Sequence, residues 1–359
     1  MTRIAVLTSG GDAPGMNAAI RAVVKVGAGR GIEVFGVEGG YDGLIGNRIR
    51  PLTHSVAGRL VPERSVDLAL GEGGTLLGSS RSVAFMEAEG RSQAGRALAD
   101  FDGFAVIGGN GSLAGAHALA TDQPTAVIGI PASIDNDIGC TSTAIGVDTA
   151  LNTIVDACSK ISDTARAHKR AFVVEVMGRQ SGYLAMASAV AAGADAVLFR
   201  EQDRSNEEIV DSVEGVIREA FDSDVGKRRV LIIKAEGVEM PATDLVRAVN
   251  DRLVDFGGVQ ARAIVFGHLI RGGSPSYLDR MVGGRLGLMA LLSLSEGATD
   301  EMVAWRTPVE GGTSTPDSRV QRFTLERVAD ESDALLDGSS PVMQRRMKMM
   351  ESVEGVLAL

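Results

Sequence analysis

Two aspartates on one short loop are the residues of this sequence best placed to do chemistry. Asp135 and Asp137 lie within PASIDNDIG (131–139), directly after the apolar run TAVIGI. Upstream, VIGGNGSLAG (106–115) has the pattern of a strand, a glycine-rich turn and a helix start. Glycines let a turn approach phosphates closely, and a helix N-terminus favours anions. The two segments together indicate a phosphoryl-transfer site, although Asn110 stands where a metal-binding carboxylate would be expected.

Basic residues stand repeatedly just before or after strand-like runs. They are Arg170, Arg179, His268 and Arg271. A lone arginine is most often a solvated surface charge, and a lone histidine is most often structural. Several independent turns that all carry such residues favour a phosphate-ester pocket instead, because guanidinium groups bind phosphate in bidentate fashion.

The elements that position these residues follow from short Val/Ile-rich runs that alternate with helical patterns. The runs predicted to be strands lie within 3–12, 33–40, 104–110, 125–130, 171–178, 230–237 and 263–269. Near-continuous apolar runs separated by helices indicate parallel strands covered on both faces, and ligands of such sheets bind beyond the carboxyl ends of the strands. The sequence therefore predicts an α/β fold with mostly parallel sheets.

Composition narrows the classes of protein further. A chain of 359 residues is long enough for two domains, and a net charge of −10 disfavours nonspecific binding to nucleic acid or to anionic membranes. The 2 cysteines, Cys140 and Cys158, disfavour a disulfide framework or a thiolate metal site. With no signal-peptide pattern and no long apolar run, we expect a cytoplasmic protein.

At this point the sequence resembles the 6-phosphofructokinases of the bacterial type, from about residue 3 to about residue 300. The motifs that carry the resemblance, in the family's order, are LTSGGDAPGMNAAIRAVV, GYDGL, GGTLLGSSR, IGGNGS, PASIDND, VVEVMGRQSG, KAEG and ARAIVFGHLIRGGSP. The resemblance implies the phosphofructokinase fold of two Rossmann-like three-layer domains. It also implies transfer of the terminal phosphoryl group of ATP to the 1-hydroxyl of fructose 6-phosphate, with Mg²⁺ as cofactor, as in glycolysis.

The resemblance also implies roles for the residues that match the family's motifs. Asp135 would accept the proton of the sugar hydroxyl, Asp137 would help to hold Mg²⁺ together with Asn110, and Arg81 and Arg179 would stabilise the transferring phosphoryl group. The phosphates of the nucleotide would be bound by Gly11, Tyr41, Arg81, Gly108, Asn110, Gly111 and Ser112.

The sugar phosphate would be bound by a second set of residues. Those contacting the sugar would be Ser133, Asp135, Met177, Gly178, Arg179 and Glu236, and those contacting its 6-phosphate would be His268 and Arg271 together with Arg170 and Arg262 of a neighbouring subunit. We therefore expect a homodimer or homotetramer whose active sites are completed across an interface.

Two departures from the family's pattern leave alternatives open. Asn110 replaces the aspartate of the usual GGDGS turn, which predicts weaker use of Mg²⁺, slower catalysis or loss of activity. Ala132 stands where ATP users usually have glycine and pyrophosphate users usually have lysine, and Gly111 fits the ATP pattern. ATP is favoured, and the alternatives are a pyrophosphate-dependent enzyme, a kinase of another sugar phosphate and a non-catalytic sugar-phosphate sensor.

The expected domain organisation has three parts. Residues 1–146 with about 270–300 would form the nucleotide domain, and 147–269 the sugar-phosphate domain. Residues 301–359, where the resemblance is poor, would form a C-terminal tail that packs on the body. Within it, 308–319 is the best loop candidate, and the residues after 319 have an amphipathic helical pattern with a Met-rich stripe suited to packing.

Overall fold

The structure is a computed structural model that describes residues 2–222 and 226–358. Outside the described residues lie Met1, 223–225 and Leu359. The first residue of the expected nucleotide domain and the last residue of the expected tail are among them. The chain forms two units: 1–149 with 271–335, and 150–270 with 336–359. We refer to them as unit 1 and unit 2.

Helices and strands alternate along most of unit 1. Its elements are β1 (Arg3–Ser9), α1 (Met16–Gly29), β2 (Glu33–Val37), α2 (Gly40–Ile45), β3 (Ile49–Pro51), β4 (Thr53–Val56), β5 (Arg59–Pro62), α3 (Arg64–Leu68), α4 (Ala88–Ala97), β6 (Gly103–Gly108), α5 (Asn110–Asp122), β7 (Ala126–Pro131) and, after the segment that belongs to unit 2, α10 (Tyr277–Ser295), β12 (Glu301–Trp305), β13 (Thr313–Ser314), β14 (Val320–Thr324) and α11 (Leu325–Asp337).

The chain enters unit 2 within the long helix α6 and ends there with α12. The elements of this part are α6 (Val147–His168), β8 (Arg170–Val176), α7 (Tyr183–Ala192), β9 (Ala196–Leu198), α8 (Asn206–Phe221), β10 (Arg229–Ala235), α9 (Ala242–Arg252), β11 (Ala261–Val265) and α12 (Pro341–Ala358). All seven runs that the sequence predicts as strands contain a strand, which confirms that prediction.

The sheet of unit 1 has the strand order β13-β14-β12-β7-β6-β1-β2-β3. Its five central strands, β12, β7, β6, β1 and β2, are parallel, and antiparallel strands are added at both edges. Every residue of β6 is buried, as expected for a strand with Val/Ile-rich faces on both sides. This arrangement confirms the predicted α/β fold with a mostly parallel sheet.

Close helix packing supports the first glycine turn of unit 1. Helices α1 and α10 pack against each other. A Cβ on Gly283 or Gly287 of α10 would lie 2.8 Å from the carbonyl oxygen of Gly15 or 2.5 Å from that of Ala19. Only glycine allows this approach, which fixes the start of α1 directly after the turn that follows β1.

The sheet of unit 2 has the order β11-β8-β10-β9, and all its strands are parallel. Its apolar core includes Val173 and Ile232 on the strands together with Val213 and Ile217 of α8 and Leu245 of α9. The helices of the β-α-β connections thus cover the sheet with the amphipathic faces that their sequences predict.

The structure differs from the expected tail at 301–359. Strand β12 pairs with β7 in the main sheet, and β14 pairs with β12 in antiparallel fashion, so 301–335 belongs to unit 1. The segment after residue 319, expected to be helical, begins with strand β14 and becomes helical only at Leu325. Five-residue segments carry too little periodicity to separate strand from helix, and the partner strand decides the outcome.

Candidate active site

A cavity of about 540 Å³ in unit 1 opens at the carboxyl ends of β1 and β6. These strands are neighbours, and β2 and β7 lie on their outer sides, so the connections turn in opposite directions at this point. Ligands of open parallel sheets bind at such a switch point. The residues expected from sequence that line the cavity are Gly11, Tyr41, Arg81, Asn110, Gly111, Ser112, Ser133, Asp135 and Arg271.

The glycine turn between β6 and α5 forms one wall of this cavity. A Cβ on Gly108 would lie 2.5 Å from Oγ of Ser112 and 2.6 Å from the carbonyl oxygen of Ser9, so this position admits only glycine. Helix α5 begins at Asn110 with Gly109 as its N-cap, without a side-chain cap and without an acidic residue in the first turn. Its N-terminus therefore offers main-chain N–H groups and a partial positive charge to an anion.

Three other helices begin differently. Asp279 accepts hydrogen bonds from main-chain N–H groups at the start of α6, as Glu201 does at α7 and Glu175 at α9. A carboxylate in that place satisfies the helix terminus and repels a further anion. The start of α5 is therefore open to an anion, as is the start of α1, which also lacks a side-chain cap and an acidic residue in its first turn.

The other side of the cavity is apolar. Tyr41 stacks on Phe85 with ring centroids 3.9 Å apart and an interplanar angle of 17°. The Tyr41 hydroxyl donates a hydrogen bond of 2.7 Å to the carbonyl oxygen of Ser112, and burial raises the pKa of this phenol. Val83 and Met86, which are 82% and 75% exposed, extend the apolar surface to the rim. This side suits a flat, weakly polar ring rather than a phosphate.

The acidic loop after β7 lies beside the glycine turn. Asn136, between the two aspartates, has φ of 49° and is 1% exposed, and its amide bonds the main chain at Ser142 and Ala144. Asparagine tolerates this left-handed backbone better than most residues do. The loop is therefore held in one conformation, in which Asp135 lines the cavity.

Asp137 is half-buried and has three polar neighbours. Ser133 Oγ donates to its Oδ1 at 3.0 Å, and Asn110 Nδ2 donates to its main-chain carbonyl oxygen at 3.1 Å. Burial raises the pKa of the Asp137 carboxyl, while the hydrogen bonds from Ser133 and Asn110 and the charge of Arg271 act in the opposite direction.

The donor atoms at this loop fit Mg²⁺ in number and type. Among the described residues, no group of three or more His, Cys, Asp or Glu side chains is placed to hold a metal ion. Mg²⁺ does not require such a cage, since it commonly binds one or two carboxylates, substrate phosphates and water. The carboxylate of Asp137 and the amide oxygen of Asn110 are suitable hard donors.

Three arginines of unit 1, Arg81, Arg91 and Arg271, line the cavity, and Arg91 is ion-paired with Asp122. Arg81 is exposed, on the loop that also carries Val83. Arg271 donates a hydrogen bond of 3.2 Å from Nη1 to the carbonyl oxygen of Asp12, and a Cβ on Gly11 would lie 2.8 Å from the same Nη1. The glycine after β1 therefore leaves the space that the Arg271 guanidinium occupies.

Unit 2 holds most of the residues expected for the sugar phosphate. Met177, Gly178 and Arg179 follow β8, Glu236 follows β10, and His268 follows β11. The side chains of Arg179, Glu236 and His268 are exposed. Strands β10 and β11 flank β8, so these segments share the carboxyl edge of the sheet, with a switch point between β8 and β11.

Arg170 and Arg262 lie at the opposite edge of this sheet. Arg170 is the first residue of β8 and Arg262 is the second residue of β11, paired with Phe172. Six residues of extended chain, about 20 Å, separate Arg170 from Val176 at the other end of the strand. Unit 2 therefore does not bring these two arginines together with Arg179 and Glu236.

Sequence reasoning missed two residues that shape the site. Phe85 supports the Tyr41 ring, and Asn136 fixes the acidic loop. An asparagine between two loop aspartates is a detectable sign of a left-handed residue. The sequence around Phe85 offers no comparable sign, because its contact with Tyr41 spans more than forty residues.

Comparisons with known proteins agree with this architecture. The α/β fold with its switch-point cavity is that of a nucleotide- or phosphate-binding protein. The family model described as phosphofructokinase matches residues 3–294. This chain therefore belongs to the phosphofructokinase family. Among the described residues, no helix is long and apolar enough to cross a membrane.

Several curated proteins are similar to this chain over most of their length. The ATP-dependent 6-phosphofructokinase of Thermotoga neapolitana is 44% identical over 307 residues, which is 85% of this chain and 90% of the relative. The ATP-dependent 6-phosphofructokinase of Brevibacillus brevis is 40% identical over 305 residues, or 84% and 89% of the two chains.

Solved structures share the fold. Phosphofructokinase from Saccharomyces cerevisiae aligns with a TM-score of 0.79 at 31% identity over 96% of this chain, which spans about half (47%) of the yeast chain. The pyrophosphate-dependent phosphofructokinase from Marinobacter aquaeolei aligns with a TM-score of 0.74 over 92% of this chain and 84% of its own, at 19% identity, which supports the fold alone.

Proposed function

We propose that this protein is an ATP-dependent 6-phosphofructokinase. It transfers the terminal phosphoryl group of ATP to the 1-hydroxyl of fructose 6-phosphate and so produces fructose 1,6-bisphosphate. Unit 1 binds the phosphoryl donor, and unit 2 carries most of the groups that bind the sugar phosphate. The names of the curated relatives support this reading.

The choice of ATP as donor rests on one observation: the unit 1 cavity has a polar side and an apolar side. One side is the glycine turn at the start of α5, and the other is the apolar surface built on Tyr41 and Phe85. A nucleotide needs both sides, because its phosphates and its base differ in polarity. Pyrophosphate has no base and would leave the apolar side in contact with water.

Asp135 is the proposed general base. It lines the cavity, and the position of its loop is fixed by Asn136. A carboxylate within reach of the sugar 1-hydroxyl orients that oxygen and accepts its proton as the new bond to phosphorus forms. Arg81 and Arg179 stabilise the charge on the transferring group, which is the larger effect in a loose transition state.

Mg²⁺ is the proposed cofactor, held by Asp137 and Asn110. When bound it would neutralise negative charge on the donor phosphates. Ser133 holds the Asp137 carboxylate through a hydrogen bond of 3.0 Å. The neutral amide of Asn110 lowers the negative charge available to the metal relative to a carboxylate, which supports weaker use of Mg²⁺.

The sugar is bound by Ser133, Met177, Gly178 and Glu236 together with Arg179, and its 6-phosphate by His268 and Arg271. Charged side chains suit this phosphate site, because Glu201 and Glu175 already accept hydrogen bonds from main-chain N–H groups at the starts of α7 and α9, which leaves those helix ends less open to an anion. Guanidinium groups bind phosphate in bidentate fashion, so they suit the task.

Arg170 and Arg262 are proposed to serve the active site of a neighbouring subunit. Their place at the opposite edge of the unit 2 sheet supports this assignment, because neither can join Arg179 and Glu236 within the same unit. We therefore propose a homodimer or homotetramer in which an isolated subunit has little activity.

The deciding experiment compares two donors. The purified protein is incubated with fructose 6-phosphate at saturating Mg²⁺, with ATP or with pyrophosphate, and fructose 1,6-bisphosphate is measured. Turnover with ATP alone is expected. The matched control is Asp135→Asn, which should bind the sugar phosphate and fail to convert it.

The other outcomes select the alternatives. Turnover with pyrophosphate alone would refute the assignment of the apolar side to a nucleotide base. Turnover of sedoheptulose 7-phosphate in place of fructose 6-phosphate would change the acceptor and keep the kinase. Binding of fructose 6-phosphate without turnover of either donor would indicate a sensor that has lost its chemistry at Asn110.

A further inference from the structure

A lysine buried in the sheet of unit 2 has no role in the function proposed above. Lys234 belongs to β10, and its side chain is 0% exposed. Its Nζ donates three hydrogen bonds, to Oε2 of Glu175 at 3.0 Å and to the carbonyl oxygens of Ala235 at 3.1 Å and Val238 at 3.2 Å. An ammonium group has three donors, so its hydrogen-bonding capacity is filled.

Its partner Glu175 connects two further elements. Glu175 is the residue of β8 paired with Lys234 in the parallel register. The same Oε2 accepts a hydrogen bond of 3.0 Å from the main-chain N–H of Ala242, the first residue of α9. The N-cap of α9, Pro241, makes no side-chain cap, so Glu175 supplies it from the neighbouring strand. One ion pair thus joins β8, β10 and the start of α9.

The segment enclosed by these contacts is the turn that carries Glu236. The N–H of Val238 bonds the carbonyl oxygen of Ala235 at 3.2 Å and closes the turn, and Lys234 bonds both of the residues that close it. The N–H of Glu236 bonds the carbonyl oxygen of Val176 at 2.9 Å. The backbone of Glu236 is therefore held while its side chain is exposed.

The same turn lies directly against the loop of Arg179. A Cβ on Gly237 would lie 2.4 Å from the carbonyl oxygen of Arg179 and 3.1 Å from that of Gly178. A displacement of the turn would therefore also displace the backbone of this loop. The positions of Glu236 and Arg179, two of the groups proposed to contact the sugar, therefore depend on the position of this one turn.

Burying a charge costs desolvation free energy, so a lysine in this place calls for a role that an apolar residue could not fill. Buried ion pairs are often no more stabilising than well-packed apolar residues of similar volume. Lys234 lies between Ile233 and Ala235 on β10, where the residues from Val230 to Ile233 are all apolar. An aliphatic side chain could fill the volume, but it could not bond the two carbonyl oxygens of the turn.

We propose that Lys234 is a positioning residue for the sugar-phosphate half of the active site. Its ammonium group, balanced by Glu175, fixes the turn 235–238 and through it the exposed side chain of Glu236 and the loop of Arg179. The proposal rests on the function proposed above. It adds a determinant of sugar-phosphate affinity that does not itself touch the substrate.

The test separates positioning from stability. Lys234→Met alone leaves the half-buried carboxylate of Glu175 without its partner, so Tm should fall. The double variant Lys234→Met/Glu175→Gln removes both charges and keeps an amide oxygen that can accept from the N–H of Ala242. It should recover most of the lost Tm.

The KM values distinguish a positioning role of Lys234 from a purely structural one. We expect KM for fructose 6-phosphate to rise by about tenfold or more in the double variant, while KM for ATP stays within about twofold of wild type, because a shift of about 1 Å at a binding group is enough to cost this much. Val230→Ala, a fully buried change on the same strand, is the matched control; it should lower Tm and leave both KM values unchanged.

A second measurement does not depend on turnover. Hydrogen–deuterium exchange of the peptide covering 235–242, without substrate, should be faster in the double variant than in Val230→Ala. If the double variant has wild-type KM for fructose 6-phosphate and wild-type exchange, Lys234 is merely structural and the inference is wrong while the kinase stands. If the wild-type protein neither binds nor phosphorylates fructose 6-phosphate, the proposed function fails and the inference with it.

Discussion

Asn110 Nδ2 donates a hydrogen bond of 3.1 Å to the main-chain carbonyl oxygen of Asp137, which links the glycine turn to the acidic loop across 27 positions. An aspartate at position 110 could not make this contact, because a carboxylate has no donor when it is ionised. The amide thus holds the two loops together where a second carboxylate would repel the first. The departure at position 110 has a structural consequence as well as an electrostatic one.

The first prediction concerns this residue. Asn110→Asp should lower the Mg²⁺ concentration needed for half-maximal activity, because a second carboxylate strengthens binding of a hard cation. The measurement is initial rate against Mg²⁺, with calorimetric titration of Mg²⁺ as an independent readout. Asn110→Ala, which removes the amide without adding charge, should raise the half-saturating concentration. If both variants had the same Mg²⁺ dependence as the wild-type protein, position 110 would not contact the metal.

The second prediction concerns Asp135. Asp135→Asn should lower kcat by a factor of about 10² to 10⁴, the usual contribution of a positioned general base, because the amide cannot accept the hydroxyl proton. Binding of fructose 6-phosphate, measured by calorimetry, should change little. Weaker binding with nearly normal kcat would instead assign Asp135 to substrate binding alone.

The third prediction concerns Gly115 of α5, which lies against the Tyr41 ring. A Cβ there would lie 2.9 Å from the Cε2, Cζ and hydroxyl oxygen of Tyr41, so Gly115→Ala must displace the ring. We expect KM for ATP to rise by several-fold, while KM for fructose 6-phosphate is unchanged.

Gly284→Ala on α10 is the matched control for the third prediction, since nothing lies within 4 Å of its added methyl group. It should stabilise the protein by up to about 1 kcal/mol through helix propensity and leave both KM values unaltered. An unchanged KM for ATP in Gly115→Ala would exclude Tyr41 from the nucleotide site.

The fourth prediction concerns the C-terminal part of unit 1, where Arg285 of α10 forms a two-point ion pair with Asp317. Arg285 also lies over the buried Trp305 ring, with its guanidinium carbon 4.9 Å from the ring centroid. The hydrogen bonds from Arg285 hold the pKa of the Asp317 carboxyl below its ordinary value. Stability from a lowered carboxyl pKa is present above the unfolded-state pKa and is lost as pH falls through the folded-state pKa.

Asp317→Asn should therefore lower stability at pH 7 by about 1–2 kcal/mol, seen as a drop in Tm of a few degrees. The difference from wild type should shrink as pH falls below about 4, where the unfolded-state carboxyl is protonated. Asp333→Asn on the exposed face of α11 serves as control and should not change Tm. A difference that is constant from pH 7 to pH 3 would refute the electrostatic explanation.

The sequence alone determined the features that depend on neighbours in the chain. The seven predicted strands are present because Val/Ile-rich runs between glycines and polar turns have few other ways to bury their side chains. Gly108, Asp135 and Asp137 could be assigned to one site, since turns that follow parallel strands gather at one edge of a sheet. The predicted fold class and family followed from the same local motifs.

The tertiary structure alone decided the features that depend on distant partners. Strand β12 became part of the main sheet because β7 offered an edge with which it could pair, and β14 in turn paired with β12. Phe85 beneath Tyr41 and Glu175 beside Lys234 are contacts across 44 and 59 positions. Periodicity and propensity describe a residue's own element, whereas packing and buried charge pairing depend on which elements the whole fold brings together.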